Sequence, residues 1–165
     1  MKRWVWLTIS WFGISGYFRH VRGTWGTLAA LPVAYAIQIS LGNIALGVAS
    51  LAAFAIGIIA SNHYMASTGT HDPGEIVIDE VAGVFLLLAF MAPTWQCYVV
   101  AFILFRAFDI LKPWPVSWAD KKLAGGLGVM LDDMLAGLYP VVLFYALHVT
   151  QPELAESILA WLQIN

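Results

Sequence analysis

The sequence predicts an all-α protein built as a polytopic membrane helical bundle, with about five membrane-embedded helices and interfacial helices at both ends. Composition is the first reason. Of 165 residues, 61% belong to the hydrophobic class and only 11% are charged, against roughly 45–50% and about 25% in soluble domains. The second reason is the distribution of charge: residues 24–70 contain no Asp, Glu, Lys or Arg, and neither do residues 81–105. A spanning helix needs about 20 mostly apolar residues, so the first run has room for two.

The elements follow in order. Residues 1–22 carry Lys2 and Arg3 ahead of a short apolar stretch, and Trp4, Trp6, Trp11 and Tyr17 suit the headgroup zone of a bilayer. Arg19 and Arg22 follow and no small-residue cleavage site is evident, so this segment is expected to be a retained interfacial helix. Two spans then fill the first charge-free run, with the turn at Gly42 and Asn43. The second run is broken at Ala92-Pro93-Thr94, because the residue before proline is pushed out of helical geometry. Its halves reach membrane thickness only if the third helix extends back to about Ile76 and the fourth on to about Leu111. A fifth span is expected from about Leu131 to Val149, with Pro152 as its stop. In residues 150–165, Leu154, Ile158 and Leu162 recur every four residues, and Glu153 and Glu156 stand near the start, which reads as a surface helix on the far side. Residues 1–165 form one domain, with residues 23–149 as its helical core.

Folding these helices back and forth places the charges. Asp79 precedes Pro93 by 14 residues and Asp109 follows Thr94 by 15, so at 1.5 Å per residue both lie roughly 21–23 Å from the turn. The same geometry brings Gly23 to Thr27 level with Asn62 and His63, and starts the fifth span at Asp132 and Asp133. All eight Lys and Arg, at positions 2, 3, 19, 22, 106, 112, 121 and 122, fall on that side. The positive-inside rule makes it cytoplasmic.

Several function classes drop out. A formal charge of −2 offers no basic field for nucleic acid. The lone Cys97 excludes an intramolecular disulfide, and no Cys/His cluster has zinc-ligand spacing.

What remains is a layer of acids. Asp72, Glu75, Asp79 and Glu80 lead into the third span, Asp109 leaves the fourth, and Asp132 and Asp133 enter the fifth: seven of the ten acidic residues at three converging helix ends. An Asp at the centre of a membrane helix costs about 2.5–3.5 kcal/mol on insertion scales, and neighbouring acids repel as well, so a bound cation is the economical compensation. Hard oxygen ligands suit Mg²⁺ or Mn²⁺, which binds one or two carboxylates together with waters and a substrate phosphate. Asp72 and Glu75 are equally what turn chemistry around Asp-Pro-Gly and a helix N-terminus would select. The expected metal-holding and catalytic set is Asp79, Glu80, Asp109, Asp132 and Asp133.

Arg106 and Lys112 flank Asp109 at three-residue spacing and are expected to hold phosphate oxygens, Arg by a fork and Lys as a point charge. Lys121 and Lys122 read as contacts to anionic lipid. Two glycine-rich stretches, Gly23-Thr24-Trp25-Gly26-Thr27 and Gly125-Gly126-Leu127-Gly128, would let backbone N–H groups approach an anion. Neither is a Walker loop. Thr24, Gly26, Thr27 and Asn62 lie at the right depth to touch a headgroup, and His71 beside the acids could assist proton transfer.

Three stretches taken together resemble the phosphatidylglycerophosphatase A family. They are Gly23-Thr-Trp-Gly-Thr-Leu-Ala-Ala-Leu-Pro32, His71-Asp-Pro-Gly-Glu-Ile-Val-Ile-Asp-Glu80 with Gly83, and Phe105-Arg-Ala-Phe-Asp-Ile-Leu-Lys-Pro-Trp-Pro115 running on to Gly125-Gly-Leu-Gly-Val-Met-Leu-Asp-Asp-Met-Leu-Ala-Gly137. The resemblance implies a bacterial inner-membrane enzyme, multi-pass with its active site facing the cytoplasm. It would hydrolyse phosphatidylglycerol phosphate to phosphatidylglycerol and inorganic phosphate, with Mg²⁺ as cofactor and a phospholipid in the bilayer as partner. The family's motif residues fall on Asp79, Glu80, Asp109, Lys112, Asp132 and Asp133. The alternatives are a carboxylate-lined cation transporter and a metal-dependent lipid alcohol phosphotransferase, although the Asp-Gly-x₂-Ala-Arg pattern of the latter is missing. The number of metals, the oligomeric state and the identity of the base are left open by the sequence.

Overall fold

Glycine at position 42 decides how the first apolar run folds. In the computed structural model, which describes residues 22–69 and 76–162, the first helix, α1 (Arg22–Thr68), is broken at Gly42, whose φ of 85° and ψ of 175° are non-helical. Such a positive φ is open to glycine at little cost. The chain therefore doubles back there, and α1 is two arms, residues 22–41 and 43–68. Five more helices follow among the described residues: α2 (Ile78–Leu88), α3 (Trp95–Leu111), α4 (Val116–Lys122), α5 (Gly125–Thr150) and α6 (Pro152–Trp161). No strand occurs among the described residues.

Helix α2 is the centre of the bundle. Nine of its eleven residues are buried, which is why its sequence is apolar on every side rather than on one stripe. Both arms of α1 pack on it. From the first arm, a Cβ on Gly26 would meet Val77 at 2.1 Å; from the second, Ser50 donates to the carbonyl of Ala82 at 2.7 Å. Helices α3 and α5 close the remaining sides, with Phe105 wholly buried in the same cluster as Val84 and Leu88.

The far end, at the Gly42 turn, is fastened by a polar cluster. Gln38 Nε2 donates to the carbonyls of Leu88 (3.0 Å) and Met91 (2.7 Å), and the Tyr98 hydroxyl donates to Gln38 Oε1 at 2.7 Å. Thr94 caps α3 by accepting from the Cys97 N–H, and its own hydroxyl donates to the carbonyl of Leu162, just beyond α6. The surface helix expected at the C-terminus is therefore present as α6, on the expected side.

Five membrane spans were expected, and this needs correction. Two helices among the described residues are long and apolar enough to cross a bilayer: Gly23–Thr68, whose most apolar 18-residue stretch has a mean hydropathy of 2.3, and Gly125–Thr150, where such a stretch has 1.6. Helix α2 has 11 residues and α3 has 17, or roughly 16 and 26 Å against a hydrocarbon core of about 30 Å. The expected extension of α2 back to about Ile76 is met within two residues, since the helix begins at Ile78 and takes in Asp79 and Glu80. Hydropathy alone could not separate a spanning helix from a short one made apolar by burial inside the bundle. The predicted N-terminal interfacial helix lies outside the described residues.

Candidate active site

Two glycines bring the acids together. Gly83 on α2 and Gly137 on α5 stand one helical turn after Asp79 and Asp133, and at this crossing side chains give way to backbone. A Cβ on Gly83 would lie 2.4 Å from the carbonyl oxygen of Asp133, and one on Gly137 would lie 2.2 Å from the carbonyl oxygen of Gly83. With the helix axes that close, the acids one turn along face each other. Carboxylate oxygens of Asp79, Glu80 and Asp133 lie within 4.8 Å of one another.

The other two expected acids share the space without joining this tight group. A cavity of about 340 Å³ is lined by Asp79, Glu80, Asp109, Asp132 and Asp133, with Lys112, Asp120 and the Leu123 to Gly125 turn completing its wall. Asp109 and Asp132 are each engaged by a cation. Arg106 Nη1 stands 2.5 Å from Asp109 Oδ2 and 3.9 Å from Glu80 Oε1. Lys112 Nζ donates to Asp132 Oδ2 at 2.8 Å and also to Asp120 Oδ1. Among the described residues no basic side chain reaches Asp79 or Asp133.

The donors and acceptors left over bear on whether a metal fits. Glu80 Oε2 and Asp132 Oδ1 are buried without a hydrogen-bond partner. Buried carboxylate oxygens are expensive unless something positive meets them. Three converging carboxylates with spare lone pairs, and no sulfur or imidazole among them, match the ligand chemistry of a hard divalent cation.

Lys112 holds its position at a cost. It caps α3 in the left-handed region, with φ 43° and ψ 56°, a conformation that glycine adopts far more readily than a side-chain-bearing residue. The side chain thereby turns toward α4 and α5, where it meets Asp120 and Asp132. Burial there works against the ammonium, but the carboxylates of Asp120 and Asp132 outweigh it and hold its pKa above the ordinary value for lysine.

The glycine-rich stretches have packing roles. A Cβ on Gly23 would fall 2.3 Å from Glu80 Oε1 and 2.7 Å from Arg106 Nη1, so Gly23 admits this ion pair against the start of α1. Thr27 is fully buried and its hydroxyl donates to the Gly23 carbonyl at 2.8 Å, and Thr24 is half-buried nearby. Asn62 accepts from the Gly126 N–H at 2.7 Å, satisfying one of the free N–H groups at the start of α5. A Cβ on Gly126 would lie 2.3 Å from the Ile58 carbonyl oxygen. Thus Gly26, Thr27 and Asn62, expected to touch substrate, pack or cap helices in this arrangement. Arg106 does not line the cavity; it stands behind Glu80 and Asp109. His71, Asp72 and Glu75 lie outside the described residues.

Asp120 was not among the expected residues. A signal for it existed: it lies between Lys112 and Asp132 in a segment too short to leave their side of the bundle.

Comparison with known proteins gives the family. A family model described as phosphatidylglycerophosphatase A matches residues 8–148. The chain is 40% identical to a Haemophilus influenzae protein named phosphatidylglycerophosphatase A, over 81% of this chain and 83% of that one. It is 36% identical to an Escherichia coli protein of the same name, over 79% and 76%. A Bacteroides thetaiotaomicron protein, whose name is given provisionally as phosphatidylinositol-3-phosphatase, is 39% identical over 78% and 84%. No solved structure matches the chain. By the extent of these matches, the chain is a member of the phosphatidylglycerophosphatase A family of phosphatase enzymes.

Proposed function

We propose that this protein removes the terminal phosphate of phosphatidylglycerol phosphate, yielding phosphatidylglycerol and inorganic phosphate, in a Mg²⁺-dependent reaction at the cytoplasmic face of a bacterial inner membrane. The observation that carries this reading is the convergence of Asp79, Glu80 and Asp133 within 4.8 Å, on a cavity that Lys112 also lines.

In this reading Asp79, Glu80 and Asp133 would hold the cation, with Asp109 and Asp132 lining the same cavity. Bound Mg²⁺ supplies Lewis-acid polarisation of the phosphate and a water acidic enough to attack near neutral pH. Lys112, at the cavity wall, neutralises charge on the phosphoryl oxygens as it spreads in the transition state. Arg106 pairs with Asp109 and stands by Glu80, fixing their orientation. A carboxylate of the cluster takes the proton of the attacking water.

The membrane setting follows from the same distribution of charge. In this reading the two helices long enough to span, α1 doubled back at Gly42 and α5, lie in the bilayer with α2 and α3 packed among them. Among the described residues, Arg106, Lys112, Lys121 and Lys122 gather at the end where the acids are, which the positive-inside rule assigns to the cytoplasm. Among the described residues no Asp or Glu lies between the acid cavity and Glu153 on α6, so these residues offer no acidic path of the kind a cation transporter uses.

The name of the Bacteroides relative raises the question of headgroup, and a rate comparison answers it. Purified protein in detergent micelles should release phosphate from phosphatidylglycerol phosphate faster than from phosphatidylinositol 3-phosphate or phosphatidic acid. Preference for the inositol lipid would replace the proposed substrate while keeping the reaction class.

A further inference from the structure

Asp120 is a cavity residue that the family reading leaves without a role. It sits on α4, a seven-residue helix that buries Val116 and Ala119, and its carboxylate meets the ammonium of Lys112 across the mouth of the acid cavity. The same ammonium donates to Asp132 Oδ2 at 2.8 Å, while Asp132 Oδ1 is buried without a partner. Lys112 therefore stands between two carboxylates of different character. Asp132 is almost completely buried at the edge of the metal-fitting cluster, whereas the Asp120 side chain is 30% exposed. The ammonium is held there by a left-handed backbone at Lys112 that aims it at both.

This arrangement creates a conflict that Asp120 resolves. A divalent cation entering among Asp79, Glu80 and Asp133 gains from Asp132 as well, but Asp132 is occupied by Lys112. Drawing Asp132 toward the cation would leave a partly buried ammonium without a counter-charge, which is costly unless another carboxylate is in reach. We propose that Asp120 is a positioning residue acting through Lys112: it keeps the ammonium at the cavity wall while Asp132 exchanges that ammonium for the cation. Lys112 then remains beside the cavity, free on one side for a phosphate oxygen. The inference rests on the metal-dependent reading above and assigns a residue to the loading step.

Binding of Mn²⁺ to the purified, lipid-free full chain, followed by electron paramagnetic resonance of the free ion, tests this without turnover. Asp120→Asn should weaken Mn²⁺ binding about three- to fivefold, the size expected for losing one partly exposed ion-pair partner. Asp120→Glu, which restores a carboxylate, should bind as wild type does. The decisive comparison is in a Lys112→Met background, where Asp120→Asn should change affinity less than twofold, because the ammonium through which Asp120 acts is gone. An equal loss in both backgrounds would mean that Asp120 attracts the cation directly and would overturn the proposal, as would wild-type affinity in Asp120→Asn. Failure of the wild-type protein to bind Mn²⁺ at all would instead remove the metal reading on which the proposal stands.

Discussion

Gly83 and Gly137 touch through their backbones, and the acids Asp79 and Asp133 each lie one helical turn before that contact. A Cβ on Gly137 would stand 2.2 Å from the carbonyl oxygen of Gly83, nearer than real Cβ atoms approach. The crossing of α2 and α5 is thus set by two residues without side chains, and the separation of the carboxylates is a consequence of it.

Gly137→Ala should therefore damage the site without touching any charged group. The helices must separate or shift to admit the methyl, at a cost of about 1–3 kcal/mol typical of overpacking. Thermal unfolding in detergent should show a lower midpoint, and Mn²⁺ affinity should fall with it. Wild-type stability and affinity together would show that the crossing is looser than described.

Asp79→Asn and Asp133→Asn each remove one charge from the three-carboxylate group. Each should lower kcat by on the order of 100-fold or more, the scale seen when a preorganised electrostatic group is lost. Each should also raise the Mg²⁺ concentration needed for half-maximal rate. Phosphate release at saturating lipid across a Mg²⁺ titration separates these effects.

Gly23→Ala is expected to act on Glu80 and Arg106 from outside the cavity. Its Cβ would fall 2.3 Å from Glu80 Oε1 and 2.7 Å from Arg106 Nη1, so the pair must move. Turnover should drop about tenfold or more, since small displacements of catalytic groups are costly. Phosphate release at fixed Mg²⁺ reads this directly, and an unaltered rate would show that the pair's placement does not matter.

Asn62→Ala should reduce stability by about 1 kcal/mol, the usual worth of an N-terminal helix cap, and leave the ratio of rates on different phospholipids unchanged. A changed lipid preference would return Asn62 to the role of headgroup contact that its depth first suggested.

The legible part of the fold was whatever depended on charge and turn chemistry. Gly42 was readable as the turn because a lone Gly-Asn interrupts a long apolar run, and its positive φ shows why glycine stands there. The shared depth of Asp79 and Asp109 followed from counting residues away from Pro93 and Thr94, because helical rise is fixed, and Asp132 and Asp133 joined them as the start of the fifth span. The length of α2 was not legible, since its buried sequence is as apolar as a lipid-facing one. Nor were the packing duties of Gly23 and Gly26, because a glycine that admits a neighbouring side chain looks the same in sequence as one that admits an anion. Asp120 escaped notice because it belongs to no run of acids, and its partner Lys112 turns toward it only through a backbone conformation that the sequence does not announce.

The central claim is that the acid cavity holds a divalent cation for phosphate removal. Its most direct test is phosphate release from phosphatidylglycerol phosphate by purified, folded protein in detergent, with Mg²⁺ and with excess chelator. Release that needs Mg²⁺, stops on chelation and returns when Mg²⁺ is restored is the predicted result. Equal release in both conditions would contradict the claim.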